Sequence, residues 1–407
     1  MTKTIAVFGV LCMCLTSINA KAGDIEMPEL DHPWTDGLYS TITEHTCTGG
    51  IKPKNAQKVK LNISGFKSEL VVRAVIQNHS APLVVILNGT YGRPNEPSNN
   101  LWMAWLEERG FHVLNFDSTF HPAMTELTRL GVAGNLEAEA ELSSRIIQAF
   151  ITQEMPGKMS KLGVVGMSYG GTQALLLSKM EREGRLPFKI DAVQAYSPPI
   201  SMSTSMRILD ENFTYEWKLS DHFWEFGKMK REFPVTKGYD PQMARAALSR
   251  VFRLELKDVI EKNDTLFGAE LERAGVSRLL PRGDKTERLS YAEVTTFERY
   301  FEDMVVPYWQ THGRQASRAE LLEAGELSEL MRHAGSSVQA ILATNDPLNE
   351  PGSAERLKHE SLTGRLIVLP RGGHMGYLNA NWTRSKLCGI FNVAPVIEVA
   401  FVGNSRN

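Results

Sequence analysis

Cysteine is scarce: four in 407 residues, too few for a disulfide-built scaffold or a thiolate metal cluster. A His-Glu-Xaa-Xaa-His run and a dinucleotide glycine fingerprint are also missing, so neither metal nor organic cofactor is expected. Excess charge of either sign is lacking too, with 45 Lys and Arg against 47 Asp and Glu. No polybasic cluster stands beside an aromatic stripe, which argues against a nucleic-acid partner. Long apolar runs are missing except for Ile5 to Leu15, which is too short to cross about 30 Å of hydrocarbon.

That one run has a different reading. Lys3 precedes it and Ala20-Lys21-Ala22 follows it, the order of a secretory signal occupying residues 1–22, with Gly23 as the new N-terminus. The expectation is an exported chain, periplasmic or extracellular, with no stable membrane span after cleavage. Removal of the signal takes Cys12 and Cys14 away. Cys47 and Cys388 remain, one near each end, a candidate disulfide in an oxidising compartment, the alternative being two buried thiols.

With 42% hydrophobic and 23% charged residues, the chain can build a large core with an inserted subdomain. Residues 23–56 are rich in Pro, Gly and Thr and read as an irregular leader. Runs Val59 to Ile63 and Leu70 to Gln77, parted by Ser64-Gly65, predict an antiparallel strand pair. Leu83 to Leu87 reads as a strand buried on both faces. Beyond it, helices over Asn99 to Arg109, Asn135 to Glu154 and Gly171 to Arg182 alternate with strands His112 to Phe116, Lys161 to Val165 and Ile190 to Tyr196. Such alternation predicts an α/β fold, a mostly parallel sheet flanked by helices.

The pattern breaks at Pro198-Pro199. Residues 201–332 show helical patches, including Gln242 to Lys262 and Tyr291 to Met304, and an aromatic cluster of Trp217, Phe223, Trp224 and Phe226. They are read as a mainly helical insertion. Strand signals resume at Ser337 to Ala343 and Arg365 to Leu369, and a helix near Asn381 to Phe391 closes the core, which thus comprises 57–200 and 333–391. Residues 392–407 read as a C-terminal tail, apolar over Val393 to Val402.

Gly166-Met167-Ser168-Tyr169-Gly170 matches Gly-Xaa-Ser-Xaa-Gly, a weak signal alone because both residue types are common. Its setting is more specific. A buried-strand run precedes it and a helix former follows, so Ser168 sits at a strand-to-helix corner, where Gly166 and Gly170 remove the Cβ atoms that would collide with it. A serine is a weak nucleophile and needs a base held by a third group. Asp346, in Thr344-Asn345-Asp346-Pro347, follows one strand. His374, in Gly372-Gly373-His374-Met375-Gly376, follows the next, and among ten histidines only His374 combines a strand end with a glycine-flanked loop. The backbone amides of Tyr169 and of Thr90, after the strand ending at Leu87, are candidate oxyanion donors.

These elements, from about residue 57 to 391, resemble the α/β-hydrolase superfamily. Asn88-Gly89-Thr90-Tyr91-Gly92 looks like the family's His-Gly-Xaa-Xaa-Gly loop with Asn in place of His, and the insertion resembles its cap. The resemblance implies a serine hydrolase in which Ser168 attacks an ester, thioester or amide carbonyl, His374 takes the proton, Asp346 stabilises the imidazolium and water releases the acyl group. The Met- and Phe-rich insertion suggests a small-molecule or lipid-like acyl substrate. An acyltransferase using the same triad, and a non-catalytic binding protein on the same fold, are the alternatives.

Overall fold

The computed structural model describes residues 51–211, 241–274, 295–312, 317–378 and 381–391. The signal segment, Cys47, the Trp217 to Phe226 cluster and the apolar tail lie outside the described residues.

Strands β1 (Gln57–Leu61), β2 (Leu70–Val75) and β3 (Ala81–Leu87) lead into helix α1 (Pro97–Glu108), β4 (His112–Asn115), α2 (Pro122–Thr128) and α3 (Leu136–Glu154). Then come β5 (Met159–Met167), α4 (Tyr169–Arg182) and β6 (Ala192–Tyr196). The described part of the insertion holds α5 (Met202–Glu211), α6 (Pro241–Arg273), α7 (Phe297–Tyr300), a π turn (Phe301–Val305), α8 (Val306–Thr311), α9 (Arg318–Glu323) and α10 (Leu327–Arg332). The chain then returns through β7 (Val338–Ala343), α11 (Ser353–Leu357), β8 (Arg365–Leu369) and α12 (Asn381–Cys388).

The eight strands form one sheet in the order β1-β2-β4-β3-β5-β6-β7-β8. β1 with β2 and β2 with β4 pair antiparallel, and every later pair is parallel. Alternation along β3 explains how the sheet is covered, because successive side chains point to opposite faces. Leu83, Val85 and Leu87 join the core beneath α3 and α4, while Val84 and Ile86 join the layer formed with α1 and α12. Gly163 of β5 serves the second face. A Cβ there would stand 2.8 Å from the Phe391 ring and 3.0 Å from Ile390, so the missing side chain lets the end of the core close onto the sheet.

The expected helix over Gln242 to Lys262 is longer, running to Arg273. Asn263, Asp264, Thr265 and Gly268 suggest an ending by propensity, but packing overrides it: Val259, Ile260, Phe267 and Leu271 are buried on one side. Helix α4 begins at Tyr169 rather than at Gly171, since Ser168 itself completes the corner. Of the helix expected over Tyr291 to Met304, residues 291–294 lie outside the described residues; in the described part a helix starts at Phe297, where Thr296 caps it and both carboxylate oxygens of Asp210 accept the Phe297 and Glu298 amides at 2.8 and 2.9 Å. Cys388 is a buried free thiol whose Sγ lies 4.0 Å from the Trp105 carbonyl oxygen, so the described residues contain no bridge to it.

The insertion is fastened to the core through a glycine-framed loop. Trp309 Nε1 donates to the Val132 carbonyl at 2.8 Å and Tyr300 Oη to the Ala133 carbonyl at 2.6 Å. Gly131 has φ +141°, and a Cβ on it would meet Tyr308 at 2.7 Å and Trp309 at 2.9 Å. Gly131→Ala therefore strains the backbone and collides with two rings, and it is expected to destabilise the protein by about 2–3 kcal/mol. Denaturant unfolding of the purified variant checks this; wild-type stability would remove the seam from the account.

Candidate active site

Ser168 lies between β5 and α4 with φ 52° and ψ −121°, a conformation that non-glycine residues avoid and that persists only where surrounding structure enforces it. The enforcement is visible. A Cβ on Gly166 would fall 2.0 Å from the Gly170 carbonyl oxygen, and one on Gly170 would fall 2.3 Å from the Leu87 carbonyl oxygen. The Ser168 amide donates to the Tyr196 carbonyl at 2.8 Å, which ties the corner to β6.

Asp346 and His374 stand on the loops after β7 and β8, and the structure brings both to Ser168. His374 Nδ1 lies 2.9 Å from Asp346 Oδ2, and His374 Nε2 lies 2.9 Å from Ser168 Oγ. The carboxylate accepts the Nδ1 proton, which leaves Nε2 bare to accept from the serine hydroxyl. The other carboxylate oxygen, Oδ1, accepts the Leu348 amide at 2.9 Å. All three side chains are buried, so water competes little for these bonds.

Two further contacts hold the histidine loop. Gly372, Gly373 and Met375 all have positive φ, at 138°, 58° and 66°, which folds the loop tightly around His374. Asn345 Oδ1 accepts the Gly373 amide at 2.9 Å, joining the acid loop to the histidine loop. Ser197 Oγ accepts the Met375 amide at 3.1 Å and pairs with Tyr377 Oη at 2.8 Å, while Tyr377 Oη donates to the Ile341 carbonyl at 2.9 Å. Burial pushes the Tyr377 hydroxyl well above the usual phenol range, so it stays a donor. The sequence gives no sign of Ser197 or Tyr377, because neither belongs to a motif and each acts only through the fold.

Thr90 and Tyr169 line the same cavity as Ser168. Thr90 sits in a turn closed by the Gly92 amide on the Gly89 carbonyl at 3.0 Å. Asn88, at the position where the resembling loop carries His, is buried and points into the core, its amide donating to Asn115 Oδ1 at 2.8 Å and to the Phe116 carbonyl at 2.5 Å. Its side chain anchors β3 to β4. Tyr169 begins α4, and the first amides of a helix have no acceptor within it, so this end presents N–H groups and positive dipole beside Ser168.

The cavity opens beside Ser168, between the core and the insertion. Phe120 and Leu136 wall it from the core, and Met202, Met206, Phe252 and Phe301 from the insertion. Among the described residues no charged side chain lines it, and its polar groups are those of Thr90, Ser168, Tyr169, Ser205 and Tyr300. Among the described residues no group of three or more His, Cys, Asp or Glu could hold a metal ion, and no helix is long and apolar enough to cross a membrane.

Beside the Thr90 loop the seam carries acidic groups. Glu96, just before α1, and Glu255 of α6 are both half-buried there. Burial pushes Glu96 up to about 7, with Arg93 opposing. Glu255 is pushed up to about 8 by burial first and then by Glu96 and Asp258, again with Arg93 opposing. Unfolded carboxyls lose their proton near 4.5, so the contribution of these protonated groups is fully present below that value and lost as pH rises through 7 to 8. The melting temperature is expected to fall between about pH 4.5 and pH 8 on this account, and Glu255→Gln to flatten that fall. A calorimetric pH series decides it, and parallel curves for the two proteins would count against the seam assignment.

No family model matches the chain, and no curated protein does. Solved structures similar to it include an esterase of Pyrococcus furiosus, Pf2001 (12% identity, TM-score 0.43, covering 84% of this chain and 96% of that one). Est1E from Butyrivibrio proteoclasticus shares 11% identity with a TM-score of 0.42, covering 82% and 97%. An esterase from Pyrobaculum calidifontis shares 13% with a TM-score of 0.43, covering 94% and 96%. The strand order, the antiparallel start, the serine at the corner after β5 and the helices described between β6 and β7 together make the α/β-hydrolase fold.

Proposed function

We propose that the chain is an exported serine hydrolase that cleaves esters of apolar acyl groups through an acyl-enzyme. The observation that carries this reading is the continuous relay from Asp346 through His374 to Ser168, opening on a cavity whose described lining is apolar and carries no charged side chain.

In the first step Ser168 Oγ attacks the ester carbonyl carbon while His374 Nε2 takes the hydroxyl proton. Asp346 stabilises the imidazolium so formed. The carbonyl oxygen becomes an oxyanion, and the Thr90 and Tyr169 amides, which belong to residues lining the same cavity as Ser168, are the donors assigned to it in this reading. Collapse of the tetrahedral adduct breaks the bond to the alcohol, which leaves with the proton held by His374. Water, deprotonated by His374, then attacks the acyl-serine and releases the acid, returning the hydroxyl to Ser168. The cavity favours an apolar acyl group because a charged one would lose its hydration without finding a partner. Water as the final acceptor is preferred over a second alcohol because the N-terminal segment reads as a secretory signal, and acyl-coenzyme donors belong to the cytoplasm.

The test is a panel of p-nitrophenyl esters of rising acyl length, with fluorophosphonate labelling. Wild-type protein is expected to take one label on Ser168 and to turn over apolar esters. Ser168→Ala should lose the label and at least roughly 10³-fold in kcat. Equal residual rates in the two proteins would refute the nucleophile assignment.

A further inference from the structure

Behind the serine corner lies a carboxylate that the proposed reaction does not use. Glu139, on the first turns of α3, is 3% exposed, and a glutamate is almost never buried so fully unless its oxygens are paired. Here four groups converge on them. The Gly134 amide donates to Oε1 at 2.7 Å, and Thr119 Oγ1, Tyr169 Oη and Gln173 Nε2 donate to Oε2 at 2.6, 3.0 and 3.0 Å. The start of α3, where anions are favoured, adds to this.

The donors come from three separate walls of the cavity. Thr119 precedes Phe120, which lines the cavity and packs edge-on against the Tyr169 ring with centroids 5.5 Å apart. Gly134 lines it as well and ends the loop whose Val132 and Ala133 carbonyls accept Trp309 and Tyr300 of the insertion. Tyr169 carries the amide assigned above to the oxyanion, and Gln173 lies one helical turn along α4. One carboxylate therefore fixes the residue after the nucleophile, the aromatic wall and the insertion's foothold relative to each other.

We infer that Glu139 is a positioning residue, which through Tyr169 and Gly134 couples docking of the insertion to the placement of the oxyanion donor; this rests on the serine hydrolase reading given above. Glutamine has the same shape but turns one oxygen into an NH₂ donor, which cannot accept from donors already pointed at it. Whichever way the amide lies, it faces either the Gly134 amide or the three donors on Oε2. The consequence is a corner displaced by a fraction of an ångström with the relay itself intact. Such a shift weakens transition-state binding more than ground-state binding.

The test compares wild type with Glu139→Gln, Tyr169→Phe and the double variant, by ester kinetics and by hydrogen exchange of the peptides spanning 131–140 and 166–175. Glu139→Gln is expected to lower kcat by about 10- to 100-fold with KM changed less than about threefold, a smaller loss than removing an oxyanion donor outright. Tyr169→Phe should lose less. The double variant should lose no more than Glu139→Gln alone, because the two groups act through one bond. Exchange in both peptides should rise together in Glu139→Gln at temperatures where the protein stays folded. A folded Glu139→Gln with wild-type kcat, or with both peptides exchanging as in wild type, overturns the inference. If wild type neither turns over esters nor takes the phosphonate label, the serine hydrolase reading fails, and the exchange data still judge the coupling separately. If Glu139→Gln does not fold, Tyr169→Phe carries the same comparison: unchanged kcat and unchanged exchange at 131–140 overturn it.

Discussion

Everything at the catalytic end of the sheet depends on how closely the first turn of α4 approaches β3 and β5. Main-chain atoms there leave no room for Cβ atoms at Gly166 or Gly170, and that contact holds Ser168 in its disfavoured backbone conformation. The strain has a geometric return. Only with the corner this tight does the hydroxyl come within 2.9 Å of a histidine carried by a strand end three strands across the sheet. The loops after β7 and β8 can then be short, because adjacent parallel strands already deliver their ends side by side.

Much of this was legible in the residues. The alternation of apolar runs and amphipathic stretches located all eight strands; the central ones, such as β3, β4 and β6, are buried on both faces and so have little freedom in composition, while the outer β1, β2 and β8 are only partly buried. Ser168, Asp346 and His374 could be named because motif, chain order and strand ends agree, and the structure brings those three side chains together. Helix starts were less readable: α4 begins two residues earlier than its formers suggest, because the corner rather than propensity sets its first turn. In α6, long-range packing of Val259, Phe267 and Leu271 carries the helix through residues that prefer to end one.

Glu139, Ser197 and Tyr377 were not legible at all, for a common reason. Each works through partners distant in sequence, so nothing beside it in the chain marks its role. A glutamate at the start of a helix reads as an exposed residue favoured by the helix dipole, and only the tertiary fold shows four donors around it. Asn88 is the converse: the resemblance drew the eye to it as a departure in a functional loop, whereas its side chain is a core hydrogen-bonding group tying β3 to β4.

The insertion leaves the sheet after β6 and returns at β7, and those strands are hydrogen-bonded neighbours, with Tyr196 opposite Ile341. Its two ends are therefore set by the sheet and not by what lies between them. Lengthening, shortening or replacing the intervening helices changes no strand register and displaces neither the acid nor the histidine. Natural selection can thus rewrite the walls of the cavity as a unit while the chemistry is inherited unaltered, provided the ties to the core are kept, among them the aromatic donors for the two carbonyls of the Gly131–Gly134 loop and the Ser205 hydroxyl on the Leu348 carbonyl.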